Sequence, residues 1–93
     1  MSFSDRVTAA PDVLFRLLSD EAVLVNLRTE QYLGLNPVGA RMWNVLMAAD
    51  SIEAAYEELL KEYEVEPAEL RRDLGDLVDQ LVDHQLVEAA PPA

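Results

Sequence analysis

The sequence has no cysteine and a single histidine. Without thiols there can be no disulfide framework, thiolate zinc site, iron–sulfur cluster or cysteine nucleophile, and one imidazole is too few for a His-rich metal site. No cofactor is expected. Long apolar runs are also missing: the longest reach only four or five residues, so no transmembrane helix is predicted. The first ten residues hold Asp5 and Arg6 and lack the apolar stretch of a signal peptide, which points to a cytoplasmic protein. Basic side chains are scarce, with 7 against 18 acidic ones and a net charge of −11 at pH 7. What is present is enough apolar material, 51% of 93 residues, to close one small core rather than two.

The charge is unevenly placed. Residues 1–45 carry five acidic and four basic side chains, whereas residues 46–93 carry thirteen acidic ones against Lys61, Arg71 and Arg72. Such a surface repels phosphate backbones and anionic headgroups, which argues against nucleic acid and membrane as partners. It attracts cationic partners in a salt-dependent manner.

Residues 1–11 show no periodicity and end at Pro11, so they are expected to form a flexible arm. Val13–Leu18 and Ala22–Leu27 are β-branched or apolar runs separated by Asp20-Glu21, and Tyr32–Leu35 is a third short run after a polar turn. These read as three strands of a meander that stops at Asn36-Pro37. Beyond Pro37 the apolar spacing is helical. Val38, Met42, Val45, Leu46 and Ala49 make one stripe; Ile52, Ala55, Tyr56, Leu59, Leu60 and Tyr63 a second; Leu70, Leu74, Leu77, Leu81 and Val82 a third. Asp50 or Ser51 suits the cap of the second helix, and Pro67 the first turn of the third. The tail, residues 89–93, is expected to be disordered, leaving residues 12–88 as the domain. The predicted class is α+β, a three-stranded antiparallel sheet followed by three helices on one face.

A three-stranded sheet has open edges, and the third run contains no Lys, Pro or Asp to discourage a neighbour. An extended peptide, or a second copy of the chain, has a place to pair there; Gly34 reads as room for an approaching backbone. On the third helix, Arg71, Gly75, Val78 and Val82 form a shoulder beside the leucine stripe. A mid-helix glycine costs about 1 kcal/mol relative to alanine unless something lies close against it, another chain or another helix of the same protein.

Residues capable of catalysis are few. His84, near the end of the third helix, has no partner nearby that would make it a base. Asp73, Asp76, Asp79 and Asp83 lie along a solvated helix face without the alternating ligands of a calcium loop. Asp50-Ser51-Ile52 also describes an acyl carrier protein, where Ser51 would bear a phosphopantetheine arm, but the strand-rich first third does not belong to an all-helical carrier.

Leu27-Arg28-Thr29-Glu30-Gln31-Tyr32-Leu33-Gly34-Leu35-Asn36-Pro37-Val38-Gly39-Ala40-Arg41-Met42-Trp43 resembles the signature of the PqqD-like family: an aliphatic strand, a polar turn, an aromatic-containing strand ending in Leu-Asn, and a small-residue helix start. The Ile52-Glu53 helix start, the Val65–Pro67 break, the Asp73-Leu74 pair and Leu86-Val87 fit as well, so the resemblance spans residues 12–88. It implies a RiPP recognition element: a winged-helix-like, non-enzymatic module that binds the leader of a ribosomally made precursor peptide. The leader would add as an antiparallel strand to the third strand and pack against the third helix. Carried over by position, the peptide-binding residues are Gln31, Tyr32, Leu33, Gly34, Leu35, Asp73, Leu74, Leu77, Val78 and Leu81. Gln85 departs from the family, which often has Gly before the Leu-Val pair. The Tyr-Leu-Gly-Leu-Asn-Pro stretch and Trp43 are more like the lasso-peptide group than the pyrroloquinoline quinone peptide chaperone. The lasso reading implies delivery of the precursor to a separate leader peptidase and to a cyclase. A winged-helix DNA-binding role is opposed by the acidic third helix.

Overall fold

A computed structural model describes residues 2–91. The chain forms β1 (Arg6–Ala9), β2 (Val13–Leu18), β3 (Glu21–Asn26), β4 (Tyr32–Leu35), α1 (Pro37–Ala48), α2 (Ile52–Glu62), α3 (Pro67–Asp83) and β5 (Val87–Ala90). The three strands expected from the sequence are β2, β3 and β4, an antiparallel meander in that spatial order. The α+β architecture and the order of strands and helices follow the expectation.

The two chain ends differ from it. Arg6–Ala9 pairs antiparallel with Val87–Ala90, and the Ala10 N–H donates to the Leu86 carbonyl, so β1 and β5 form a second, two-stranded sheet. Val7 and Val87 are buried in the core. The expected flexible arm at 1–11 and disordered tail from 89 are therefore corrected for residues 6–9 and 89–90, while 1, 92 and 93 lie outside the described residues. A four-residue strand is too short to show a period, and its partner lies at the other end of the chain.

Local chemistry sets the element boundaries. Asn36 caps α1 by accepting from the Gly39 N–H at 2.8 Å, with Pro37 in the first turn where no amide hydrogen is needed. Ser51 caps α2 by accepting from the Ala54 N–H at 3.0 Å. The α2 amides of Ile52 and Glu53 donate to the carbonyls of Asp5 and Phe3, so the N-terminal segment completes that helix end. α3 ends with Gln85 at φ 58°, its N–H donating to the Val82 carbonyl and the Leu86 N–H to the Leu81 carbonyl. This is the Schellman arrangement, here adopted by a non-glycine residue. Gln85 thus makes the left-handed turn that ends α3 without being a glycine.

The core lies between the inner face of β2–β4 and the three helices. Leu24, Leu46, Ile52, Leu59, Leu74, Val78, Leu81 and Leu86 are its largest fully buried members, and Phe15 of β2 stacks on Trp43 of α1 at 6.2 Å. Asn26, the one buried polar side chain among the described residues, joins two distant turns. Its Oδ1 accepts from the Arg28 and Thr29 amides at 2.9 and 3.2 Å, and its Nδ2 donates to the Gln85 carbonyl at 2.6 Å. The turn leading into β4 is thereby anchored to the end of α3.

Candidate functional site

β4 is bonded to β3 on one side, and its other edge is unpaired among the described residues. The ladder reveals which groups that edge offers. The Asn26 N–H donates to the Gln31 carbonyl, so Asn26 and Gln31 are a hydrogen-bonded pair. In an antiparallel ladder such pairs alternate, so Leu33 and Leu35 point their backbone groups at Leu24 and Ala22. The N–H and C=O groups of Tyr32 and Gly34 consequently face the open edge. Side chains alternate in step with this. Leu33 and Leu35 face the core with Leu24 and Ala22, whereas Tyr32 and Gly34 lie on the outer face with Val25 and Val23.

Beside this edge runs α3, antiparallel to β4. His84, at the C-terminal end of α3, borders a depression with Glu30–Gly34. One turn back, Gln80, Leu77, Asp76 and Asp73 line an adjoining groove of about 250 Å³ against Asn36, Val38, Gly39 and Met42. A third depression continues it, where Val38, Met42 and Asp73 meet Tyr63, Val65, Glu69 and Leu70. The trough has an apolar floor and an acidic rim. His84 Nδ1 is 2.8 Å from the Gln80 carbonyl; with a backbone oxygen as partner that nitrogen is the protonated one, which leaves Nε2 free.

The expected site residues divide accordingly. Gln31, Tyr32 and Gly34 are exposed at the edge, Tyr32 by 69%; Leu33 is half-buried, and Leu35 is a core residue that contributes through its neighbours. Asp73 stands on the rim and Leu77 lines the trough. Leu74, Val78 and Leu81 are fully buried among the chain's own side chains, so as groove contacts they are corrected: that arc of α3 faces inward. The arc of α3 that borders these depressions runs through Asp73, Leu77, Gln80 and His84, a progression of four, three and four residues. Val38, Met42, Asp76, Gln80 and His84 were missed as lining residues. That progression was visible in the sequence, but only the position of β4 shows which arc matters.

The shoulder at Gly75 is covered from within. A Cβ there would meet the Phe3 ring at 3.6 Å, and the Arg71 guanidinium lies 4.1 Å from the centre of the same ring while pairing with Glu53 at 2.8 Å. The close neighbour that the glycine admits is the N-terminal segment. Ser51 is occupied as a helix cap. No group of three or more His, Asp or Glu residues is arranged to hold a metal among the described residues, and no described helix is long and apolar enough to cross a membrane.

A protein-family model, coenzyme PQQ synthesis protein D (PqqD), matches residues 21–87. The chain belongs to the PqqD family. The matched span begins at β3 and ends at the first residue of β5, so it includes β4, α3 and every residue that lines the trough. Two solved structures share the PqqD-like fold of this chain. One is TbiB1 in complex with the TbiA(beta) leader peptide, at 32% identity and a TM-score of 0.78, covering 87% of this chain and 94% of that one. The other is lasso peptide synthetase B1 complexed with the leader peptide, at 25% identity and a TM-score of 0.78, covering 89% of this chain and 98% of that one. Comparison with curated protein sequences finds no match. An acyl carrier role for Ser51 is set aside by the family.

Proposed function

We propose that this PqqD-family protein binds the leader region of a ribosomally synthesised precursor peptide as an antiparallel strand on β4, against α3. It makes no covalent change itself and delivers the precursor to a separate leader peptidase and a cyclase. The observation that carries the reading is the open β4 edge, where the backbone groups of Tyr32 and Gly34 point outward beside an apolar trough. Main-chain hydrogen bonds would supply affinity, and alternate side chains entering the trough would supply selectivity. Leader residues opposite Leu33 and Leu35 would face Leu77, Met42 and Val38. Basic residues flanking them would meet Asp73, Asp76 and Glu69, so affinity should fall with added salt.

The lasso-type pathway is supported by the leader complexes of the two structural relatives. The name of the family model favours the pyrroloquinoline quinone pathway as the second reading. The same edge is open to a second copy of the chain, which would compete with the leader. Fluorescence anisotropy with labelled TbiA(beta) leader, a leader from a pyrroloquinoline quinone precursor and duplex DNA, at two salt concentrations, tests the reading. Saturable, salt-weakened binding of the lasso leader with none to DNA is expected. Binding to the quinone-pathway leader alone would favour the second reading, and binding to neither leader would remove the proposal.

A further inference from the structure

Glycine is unfavourable within a strand, yet Gly34 sits in the middle of the edge that would receive the peptide. Two usual reasons for it are absent. No described glycine has a positive φ, so the backbone does not require one here. Nor does Gly34 let a strand come closer, because its N–H and C=O lie in the plane of the sheet toward the open edge, whereas a Cβ would project from the outer face and meet nothing within 4 Å. What the missing side chain leaves is a notch on that outer face. It lies between Val23, directly opposite on β3, and the open edge, with the exposed Tyr32 two residues along the same face. The neighbouring row, Leu14–Val25–Tyr32, is filled from strand to strand; the row Arg16–Val23–Gly34 stops one side chain short.

We propose that Gly34 is a specificity-determining residue whose notch accepts a large aromatic side chain from the bound peptide, at the position opposite Gly34. The inference rests on the strand-addition reading above. A peptide residue paired with Gly34 has its side chain on the outer face, and only a long, flat one reaches across the glycine to cover Val23 while lying against Tyr32. Aromatic side chains placed across from edge glycines stabilise sheets in this way. The peptide segment recognised therefore reads apolar, aromatic, apolar: trough-facing residues opposite Leu35 and Leu33, and the aromatic residue between them facing outward.

The test is a selection of random linear peptides by mRNA display on the full chain, followed by alanine scanning of the enriched peptides and of TbiA(beta) leader against wild type and Gly34→Val. Valine keeps the outward N–H and fills the notch. Enriched peptides should carry an aromatic residue between two apolar ones, and replacing it by alanine should weaken binding about three- to fivefold in wild type and less than about twofold in Gly34→Val. Gly34→Ala should be intermediate, and circular-dichroism melts establish that both variants are folded. Enriched peptides without that aromatic position, or an equal loss in all three proteins, would overturn the notch while leaving strand addition standing. No enrichment and no leader binding would overturn both.

Discussion

Replacing Gly34 by proline separates binding from folding because of the ladder parity. The Gly34 N–H faces the open edge, so Gly34→Pro removes no hydrogen bond of the chain itself, and the absent Cβ contacts leave space for the ring. Stability should change by less than about 1 kcal/mol. The added strand, by contrast, loses its donor at the centre of the interface and retains a carbonyl facing the ring. A lost bond of about 1 kcal/mol and an unsatisfied acceptor costing about 1–3 kcal/mol together predict a loss of about 2–4 kcal/mol, at least about thirtyfold in affinity. Leu33→Pro is the matched control: its N–H points at Leu24, so it should unfold or strongly destabilise the domain, by about 3 kcal/mol or more. Leader titrations by anisotropy, paired with urea melts, read both quantities. A folded Gly34→Pro protein with undiminished leader affinity would refute strand addition on β4.

Three further outcomes follow from other parts of the fold. Asn26→Ala should destabilise by about 2–3 kcal/mol in urea titration, because it orphans the Gln85 carbonyl and the turn amides of Arg28 and Thr29. Gln85→Gly should raise stability by about 1 kcal/mol, read as a higher melting temperature, since it relieves a left-handed non-glycine residue without disturbing the helix end. The Arg41 guanidinium, bonded through Nε to Glu62 at 2.9 Å, holds the Glu62 carboxyl below the usual carboxylate range. A depressed folded-state value contributes stability above the unfolded-state value and loses it as pH falls through the folded one. The stability gap between wild type and Glu62→Gln should therefore be present at neutral pH and close on acidification through the lower carboxylate range.

Much of the molecule was legible because its signals are local. The three helical stripes, the Asn36-Pro37 start, the Asp50 or Ser51 cap and the apolar runs of β2 to β4 are set by residues a few positions apart, and the local pattern reports them directly. The edge strand was legible as well, from what its four residues lack. The β1–β5 pairing was not, because four residues carry too little pattern and their partner lies at the far end of the chain. Nor could the sequence say which arc of α3 meets the peptide edge. Most of its leucine stripe, the strongest pattern in the helix, belongs to the core, while the trough is lined by Asp73, Gln80 and His84 with only Leu77 from the stripe's edge.

By itself, then, the sequence determined the class of protein: an acidic, cysteine-free α+β domain with an unprotected edge strand and the PqqD-like pattern around it. Tertiary structure alone decided that Phe3 rather than another chain covers Gly75, that Asn26 ties the β4 turn to the end of α3, and that Gly34 opens outward instead of toward the incoming backbone. The division has one physical cause. Periodicity and capping arise from neighbours along the chain, whereas the contents of a groove or the direction of an edge amide depend on elements whose approach is set by burying the whole core at once.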